Sequence, residues 1–590
     1  MQRPLYVPTI GERLLMSCAP RALLLLVAAG TTLACSAPET APPSQTEIAT
    51  TTYATQNRPD VRGTTAAVSA SHPLAAQAGL RVLHEGGNAT DAIIAMAGVL
   101  AVTRPHMNGV GGDAFAIFYD GASGDISAMN ASGRAGALAK PDFFAAPDRD
   151  RIPGTGALAV TVPGAVAGWV DAHERFGSKP FAELLEPAIH YARDGFPVST
   201  RLRSDIEEQG ERLNEAAQAL YKPGGSPPPA GALLKNVPLA STLETIAREG
   251  KQGFYKGGIA QRLSAFLESE GGYLRTGDFA SHESTWVEPL RGDYLGHTFL
   301  AMPPNTQGIA QLALMGMSKA HPIESLGHNT TEYLHTLIEL KKLAFADRER
   351  WVGDPEHADI PVKQLLDPTY LSERASLVDA NRAAEEVAPG FGHEQALSNG
   401  QGDDSGDTVF LTAVDQFGNA VSWIQSHFAG FGSGLLEPET GILLHNRGSG
   451  FTLEAGHPNQ VAPGKRPYHT LTPLMALRDG RFAFTLGTPG GDSQTQSLLQ
   501  ITHNMLIFGM TPQQAIEAPR FRSSSGLNVS IENRVSADVF AELQALGHDI
   551  RLVDGGTATF GGAQMVHFDE ATGTLTAASD PRREAYGLAY

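Results

Sequence analysis

An abrupt change of character between residues 407 and 408 sets the strongest limit on how this chain can fold. Residues 398–407 read SNGQGDDSGD and hold no large apolar side chain, which is typical of a loop. The segment TVFLTAV follows at once, and after the turn DQFGN comes AVSWIQS. This pattern predicts a hairpin of two apolar strands. A polar loop therefore ends directly at Thr408, the first residue of a predicted strand.

That position suits a threonine that acts as a nucleophile. A threonine hydroxyl needs a base, and an N-terminal threonine carries its own, an α-amino group with a pKa of about 7.7–8. Cleavage between Asp407 and Thr408 would create such a residue, because the upstream loop is accessible and the strand holds the new terminus. The alternative is a threonine that simply begins a strand, where β-branched residues are common.

The composition excludes several classes of function. The chain of 590 residues has 44 Lys and Arg against 63 Asp and Glu, a net charge of −19, and no Lys/Arg-rich run. Nucleic-acid binding requires a basic surface, so we expect a small soluble partner instead. The 555 residues after Cys35 contain no thiol. A cysteine nucleophile, a cysteine-ligated zinc and a disulfide framework are therefore excluded from the body of the chain.

The N-terminus reads as an export signal followed by a tether. Residues 22–34 form an apolar run after Arg21, too short to span a bilayer. The run ends at Leu33-Ala34-Cys35, which resembles a bacterial lipoprotein signal. We expect a signal peptide over 1–34, a Pro/Ser/Thr-rich tether over 35–63 and a periplasmic protein lipidated at Cys35. Ordinary secretion with cleavage near Ala34 is the alternative. That lipid would be the only membrane contact.

Local patterns predict further elements of a mixed α and β fold. Residues 73–84 and 91–102 read as two helices around a Gly-Gly-Asn turn, and residues 115–119 alternate as a strand. Residues 333–350 carry an apolar stripe at helical spacing. No second apolar run is long enough for a membrane helix.

Nine ordered blocks carry a resemblance to a known family. They are EGGNATDA from residue 85, NGVGG from 108, PGAVAG from 163, KKLAFADRERWVGDP from 341, DTVFLTAVD from 407 with GNAV from 418, GFGSG from 430, GKRP from 464, PGG from 489 and EAPRF from 517. Together they make the chain resemble the gamma-glutamyltranspeptidase (glutathione hydrolase) family over most of residues 64–590.

The resemblance implies a fold and a maturation route. It implies an α+β protein, a four-layer αββα sandwich of the N-terminal-nucleophile (Ntn) hydrolase superfamily. One precursor would cleave itself between Asp407 and Thr408 into a large subunit, 64–407 behind the tether, and a small catalytic subunit, 408–590. Thr408 would then attack a small amide such as glutathione. Water or an acceptor amine would resolve the acyl-enzyme, and no cofactor or metal is expected.

Other roles follow by position in the resemblance. Gly490 and Gly491 would give backbone N–H groups to the oxyanion, which close glycine backbones allow. Ser426 falls where the family places a hydroxyl that binds the nucleophile. The alternatives are a plain turn for the glycines and a solvated strand serine for Ser426.

This chain departs from the family where the free amino acid head group is bound. The best-known members hold the glutamyl α-amino group with an Asn, a Gln and an Asp, and this chain has Phe428, Arg447 and Gly450 instead. A paired Ser motif becomes His469-Thr470. The family's carboxylate-binding Arg aligns on Ser132, with Arg134 two residues on.

These departures predict a different acyl group. A buried ammonium without a partner is costly, whereas an arginine binds a carboxylate through two parallel hydrogen bonds. We therefore hypothesise weak recognition of the γ-glutamyl amino group. A gamma-glutamyltranspeptidase-like glutathione hydrolase is the function that the resemblance implies, and a related acylase or amidohydrolase that takes a glutaryl-type or other acidic amide is the alternative. Arg447 in an ordinary ion pair is the alternative, and we expect His469 to be a hydrogen-bonded wall residue rather than a base.

Two other classes remain as rivals. One is a non-enzymatic surface lipoprotein that keeps the fold for binding. The other is a metallohydrolase, which the chain's 19 histidines allow in number. However, no H-E-x-x-H motif occurs, and His427, His445 and His469 are too scattered to indicate a ligand set.

Overall fold

The structure is a computed structural model that describes residues 56–146, 149–392 and 406–590. These residues belong to one compact unit, Thr52–Tyr590. The predicted signal peptide and residues 35–55 of the tether lie outside the described residues, as do residues 398–405 of the predicted loop. Within the described ranges, every helix is too short or too polar to cross a membrane.

The described strands fall into two large sheets and three small ones. In chain order they are β1 Val61–Gly63, β2 Ala67–Ala70, β3 Asp113–Tyr119, β4 Ile126–Ala131, β5 Phe196–Pro197, β6 Leu233–Leu234, β7 Thr285–Val287, β8 Leu290–Tyr294, β9 His297–Ala301, β10 Gly406–Val414, β11 Ala420–Ala429, β12 Leu436–Glu437, β13 Ile442–Leu443, β14 Leu474–Arg478, β15 Arg481–Gly487, β16 Phe521–Ser523, β17 Asn528–Glu532, β18 Asp549–Val553, β19 Gln564–Asp569, β20 Thr574–Ser579 and β21 Tyr586–Ala589.

The α-helices of the described residues are numbered in chain order. They are α1 Pro73–His84, α2 Ala89–Thr103, α3 Pro141–Phe144, α4 Ala165–Phe176, α5 Phe181–Asp194, α6 Thr200–Gln209, α7 Glu215–Tyr221, α8 Val237–Lys251, α9 Gly258–Ser269, α10 Thr276–Ala280, α11 Gly308–Ser318, α12 Ile323–Leu326, α13 Thr331–Trp351, α14 Val362–Leu365, α15 Pro368–Ala375, α16 Ser493–Leu506, α17 Pro512–Glu517 and α18 Ala537–Ala545.

Two seven-stranded sheets pack face to face. Sheet I has the order β21-β2-β10-β11-β3-β4-β7, and sheet II has the order β1-β20-β19-β15-β14-β9-β8. Phe115, Phe410 and Ile424 of sheet I pack with Met475 and Val566 of sheet II in one apolar core. Because each strand alternates its side chains, the opposite face of each sheet is left to be covered by helices.

Helices cover both outer faces and complete four layers. A second core joins sheet I to helices that include α1, α2, α4, α5 and α8. A third core joins sheet II to helices that include α11, α13 and α16. The fold is therefore the αββα sandwich that the resemblance implied.

The short-range predictions are confirmed with shifted ends. The second helix begins at Ala89, because the Asn88 side chain accepts a hydrogen bond from Asp91 N and the Asp91 side chain accepts one from Asn88 N. Helix α13 begins at Thr331, where Thr330 caps it. This helix is buried on most of its surface rather than along one stripe, because α11, α15 and α18 pack around it.

Candidate active site

The hairpin of β10 and β11 holds Thr408 in the centre of sheet I. Asp407 pairs with Phe428 and Thr408 with Ser426, so the register shifts there and leaves His427 as the extra residue. His427 N donates to Met107 O at 2.9 Å instead of joining the hairpin. The bulge leaves Ser426 paired with Thr408, which is itself buried.

The Ser426 hydroxyl connects Thr408 to the peptide bond that precedes it. Thr408 Oγ1 donates to Ser426 Oγ at 3.0 Å, and Ser426 Oγ donates to the Asp407 carbonyl oxygen at 2.7 Å. Phe428 N donates to the same Oγ atom at 2.7 Å. Ser426 is therefore a buried, fully engaged hydroxyl rather than a solvated strand serine.

Phe428 and Arg447 form the wall beside this hydroxyl. Phe428 has a backbone φ of +80°, in the left-handed region that a phenylalanine rarely adopts. The Arg447 guanidinium carbon lies 4.0 Å from the centre of the Phe428 ring, and Arg447 Nη2 reaches Ser426 Oγ at a long 3.5 Å. The strained turn thus places an aromatic face under a buried cation.

Arg447 has no anionic partner in the described part of the chain. The residue is 1% exposed, and its Nε and Nη1 atoms have no hydrogen-bond partner there. No described carboxylate lies within ion-pair distance of it. Burial lowers the pKa of Arg447 to about 10, opposed by the more distant charge of Asp113. The alternative of an ordinary ion pair is therefore not met among the described residues, and two guanidinium nitrogens, Nε and Nη1, remain available.

A buried carboxylate between two histidines lies near Arg447. Asp113 Oδ2 is 3.2 Å from His445 Nδ1 and 3.5 Å from His469 Nε2, and Asp113 Oδ1 accepts from Gly133 N at 2.8 Å. Burial alone would raise the pKa of Asp113, but the adjacent His445 holds it well below its usual range. Burial and then Arg447 lower the pKa of His469 well below 6.5, so this imidazole is neutral.

The glycine pair lies against the residue that precedes Asp407. Gly490 and Gly491 have φ values of +130° and +56°, which favour glycine, and they lie between β15 and α16. Gly406 is so close that a Cβ atom on it would come within 2.6 Å of Gly491 N. The pair therefore sits beside the chain segment that leads into Thr408.

Gln307 fixes the glycine pair to the segment after His469. Its Nε2 donates to Thr470 O at 2.6 Å and to Gly491 O at 3.1 Å. Its Oε1 accepts from Arg348 Nη1 at 2.9 Å, and Arg348 pairs in turn with Asp492 at 2.8 Å. One amide thus joins the segment before β14 to the segment after β15.

A comparison with models of known protein families finds one that covers most of the chain. A model described as Gamma-glutamyltranspeptidase matches residues 75–590. The chain belongs to the gamma-glutamyltranspeptidase family.

Proteins that are similar to this chain have names that state different activities. The glutathione hydrolase-like YwrD proenzyme of Bacillus subtilis is 36% identical over 532 residues, 88% of this chain and 98% of that protein. The oxamate amidohydrolase proenzyme of Klebsiella pneumoniae is 35% identical over 541 residues, 88% and 98% of the two chains. The crystal structure of cephalosporin acylase from Bacillus halodurans superposes with a TM-score of 0.84 at 34% identity, covering 90% and 97%.

The structure brings most of the site residues predicted from the gamma-glutamyltranspeptidase resemblance together. Ser426 contacts Thr408, and Phe428 and Arg447 contact Ser426. Gly491 lies against Gly406, Gln307 links Gly491 to Thr470, and His469 lies beside Asp113. Arg134 is placed differently, because its Nη2 pairs with Glu356 at 2.9 Å and its side chain is partly exposed. The catalytic and binding roles of all these residues stay predictions.

Asp113, His445 and Gln307 are site residues that the sequence reasoning missed. Asp113 directly follows the block NGVGG, so the family resemblance offered a signal for it. Gln307 lies between a Pro-Pro-Asn-Thr segment and α11 and has no local signal. Its importance depends on contacts with residues more than 160 positions away.

The described residues include one group that could hold a metal ion, and it lies outside this site. Single ligand atoms of His335, Glu339 and His548 lie within 4.8 Å of one another. However, Lys342 Nζ already lies 2.7 Å from Glu339 Oε1 and is itself buried. The chain's own ammonium therefore occupies the position where a metal would meet the carboxylate.

Proposed function

We propose that this protein is a self-cleaving amide hydrolase with Thr408 as its nucleophile. The observation that carries the proposal is the hydrogen-bond chain from Thr408 Oγ1 through Ser426 Oγ to the Asp407 carbonyl oxygen. It places a hydroxyl beside the peptide bond it would attack and a donor on the oxygen that becomes negative. The names of the relatives, which are proenzymes, support the same conclusion.

Self-cleavage creates the active form in two steps. Thr408 Oγ1 adds to the carbonyl carbon of Asp407, the C–N bond breaks, and the hydroxyl proton passes to the released amine. Water then hydrolyses the resulting ester, freeing the Asp407 carboxylate and the Thr408 hydroxyl. The products are a large subunit ending at Asp407 and a small subunit of residues 408–590, which remain together as a heterodimer.

Turnover repeats the attack on an external amide. The free α-amino group of Thr408 accepts the hydroxyl proton and returns it to the leaving amine. The N–H groups of Gly490 and Gly491 stabilise the oxyanion, and removal of one such donor typically costs about 10²–10³ in rate. Water or an acceptor amine resolves the acyl-enzyme.

The substrate class that the pocket favours is an amide whose acyl group carries a free carboxylate. Arg447 presents two buried guanidinium nitrogens that have no partner among the described residues, and burial strengthens the charge-assisted hydrogen bonds that a carboxylate would accept from them. An acyl α-amino group would instead meet Phe428 and Gly450, which cannot accept hydrogen bonds from it through their side chains. We therefore place a glutaryl-type or similar acidic amide first.

Glutathione hydrolysis is the second candidate. It is favoured by family membership and by the glutathione hydrolase-like relative. The γ-glutamyl group also has an α-carboxylate that Arg447 could bind, although its ammonium would lie near a second positive charge. Export and lipidation at Cys35 remain part of the proposal, and they rest on the N-terminal sequence alone.

Mass and N-terminal sequence of the purified protein test the cleavage. The wild type should give two chains, the smaller beginning Thr-Val-Phe-Leu. Thr408→Ala should remain one chain without activity, and Thr408→Ser should still be cleaved. Thr412→Val is the matched control from the same strand and should be cleaved normally. A single uncleaved but active wild-type chain would overturn the proposal.

A substrate pair then tests the acyl group. Glutaryl-p-nitroanilide and γ-glutamyl-p-nitroanilide differ only in the α-amino group, so the ratio of their kcat/KM values reports its effect directly. We expect the glutaryl compound to be preferred. Equal or faster turnover of the γ-glutamyl compound would favour glutathione hydrolysis and contradict the acidic-amide assignment.

A further inference from the structure

The carboxylate of Asp407 is held by Arg583 and Gln209. Its Oδ1 lies 3.0 Å from Arg583 Nη1, and its Oδ2 accepts a 3.4 Å hydrogen bond from Gln209 Nε2. Both Asp407 and Arg583 are buried. The residue on the N-terminal side of the proposed cleavage point is therefore bound through its side chain as well as through its carbonyl group.

Arg583 lies between β20 and β21, and contacts with other segments of the chain hold its side chain in place. Its Nη2 donates to Ala558 O at 3.4 Å, and its Nη1 lies 3.6 Å from Met107 Sδ. Its aliphatic stem packs on Gly562, where a Cβ atom would come within 2.8 Å of it. The guanidinium therefore has little freedom to follow Asp407 if that residue moves.

Three contacts then fix the chain around the Asp407 carbonyl group. Gly406 packs against Gly491, the Asp407 side chain pairs with Arg583, and the Asp407 carbonyl oxygen accepts from Ser426. The pairing also has an electrostatic effect. A bare carboxylate beside a carbonyl that becomes an oxyanion would repel the developing charge, and Arg583 neutralises it.

We infer that Arg583 is a positioning residue for self-cleavage, which it promotes by holding the Asp407 carboxylate. This inference rests on the proposed cleavage between Asp407 and Thr408. Arg583 does not contact the reacting atoms, so it acts only through Asp407. Its effect should be confined to the precursor, since Asp407 becomes a chain end once the bond is cut.

The rate of self-cleavage after cell-free synthesis, followed by intact-mass analysis, tests this role. Arg583→Gln should slow cleavage by about 10- to 100-fold, the range expected when a positioning contact is lost. Arg583→Lys should recover part of the rate, because a point charge can still pair with Asp407. Asp407→Asn should slow cleavage similarly. The double variant should be no slower than either single variant, since the two substitutions remove the same interaction between Arg583 and Asp407.

Two further measurements separate positioning from folding. Arg551→Gln, at an exposed position of β18, is the control for loss of an arginine and should be cleaved like the wild type. The cleaved fraction of Arg583→Gln should have wild-type kcat/KM. The double variant, which leaves no unpaired charge at this position, should have a thermal midpoint close to that of the wild type.

The outcomes distinguish this inference from the proposed function. A wild type that is never cut between 407 and 408 overturns the proposed function. A wild type that is cut there, with either Arg583→Gln or Asp407→Asn cut equally fast, overturns only the role of Arg583. Additive effects in the double variant would do the same, and so would impaired turnover in the cleaved fraction.

Discussion

Arg447 and Arg582 are both buried, yet their surroundings differ in almost every other respect. Arg582 lies between β20 and β21, and all three of its guanidinium nitrogens donate hydrogen bonds. It pairs with Glu532 at 2.7 Å and with Asp580 at 3.1 Å. Arg447 has one long contact to a hydroxyl and the face of Phe428.

The electrostatics of the two arginines diverge accordingly. Burial would lower the pKa of Arg582, but Asp580 and Glu532 raise it above its ordinary value. The pKa of Arg447 is lowered to about 10 because burial is not compensated. A buried charge that only supports the fold is paired within the fold. An unpaired one beside a nucleophile is what a binding site for an anion requires.

The largest expected effect is the loss of stability on removing the paired arginine. Arg582→Met leaves Asp580 and Glu532 short of a partner in the interior and should lower the free energy of unfolding by about 3–5 kcal/mol. Urea unfolding in a Thr408→Ala background keeps every variant a single chain. A loss below about 1 kcal/mol would contradict the contrast between the two arginines, because the network of Arg582 with Glu532 and Asp580 would then contribute little to stability.

Removing the unpaired arginine should affect catalysis instead. Arg447→Met should lower kcat/KM for glutaryl-p-nitroanilide by about 100-fold, roughly the value of hydrogen bonds between charged groups. Stability should stay constant or rise, since a buried charge without a partner is removed. Urea unfolding and steady-state kinetics on the same variant check both halves. A large loss of stability would show that Arg447, like Arg582, supports the fold, and would contradict its role in binding.

Acid should lower the free energy of unfolding, because the buried His427 resists protonation in the folded protein. Burial lowers the pKa of His427 to about 3, below the unfolded value of 6.5. Its contribution to stability is therefore full above pH 6.5 and is lost as the pH falls toward 3. At pH 5.5 the loss is about 1.4 kcal/mol. Unfolding measured against pH should show a shallower decline in His427→Gln, and an unchanged slope would contradict this.

The smallest expected effect concerns the aromatic face under Arg447. Phe428→Leu keeps an apolar side chain but removes the cation–π contact, worth about 0.5–1 kcal/mol. We expect kcat/KM for the glutaryl compound to fall by about 2- to 5-fold. The γ-glutamyl compound serves as the comparison, because the same wall faces both. A 100-fold loss would show that Phe428 shapes the pocket itself.

Much of the fold was predictable because its signals are local or repeated along the chain. The hairpin of β10 and β11 follows from an alternating apolar pattern around a Gly-containing turn, and α2 follows from its Asn88 cap. The family blocks extended these signals to the αββα architecture. The ends of elements shifted, because caps such as Thr330 are decided by single hydrogen bonds.

The site was predictable only in part. Thr408, Ser426 and the glycine pair could be assigned because each occupies a recognisable position in an ordered block. The partners of Arg447 and Arg134 could not, because the sequence does not show which acidic residue lies near a given arginine. The structure gives Glu356 to Arg134 and no described carboxylate to Arg447.

The amino-acid sequence by itself determined the hairpin strand that contains Thr408, the absence of thiol chemistry after Cys35 and the family to which the chain belongs. These depend on residue types and on spacing within short segments. Only the tertiary structure decided that Arg447 has no anionic partner among the described residues and that Arg583 meets Asp407, a residue 176 positions away. Charge pairing depends on distances across the folded interior, and those distances exist only after the two sheets have packed.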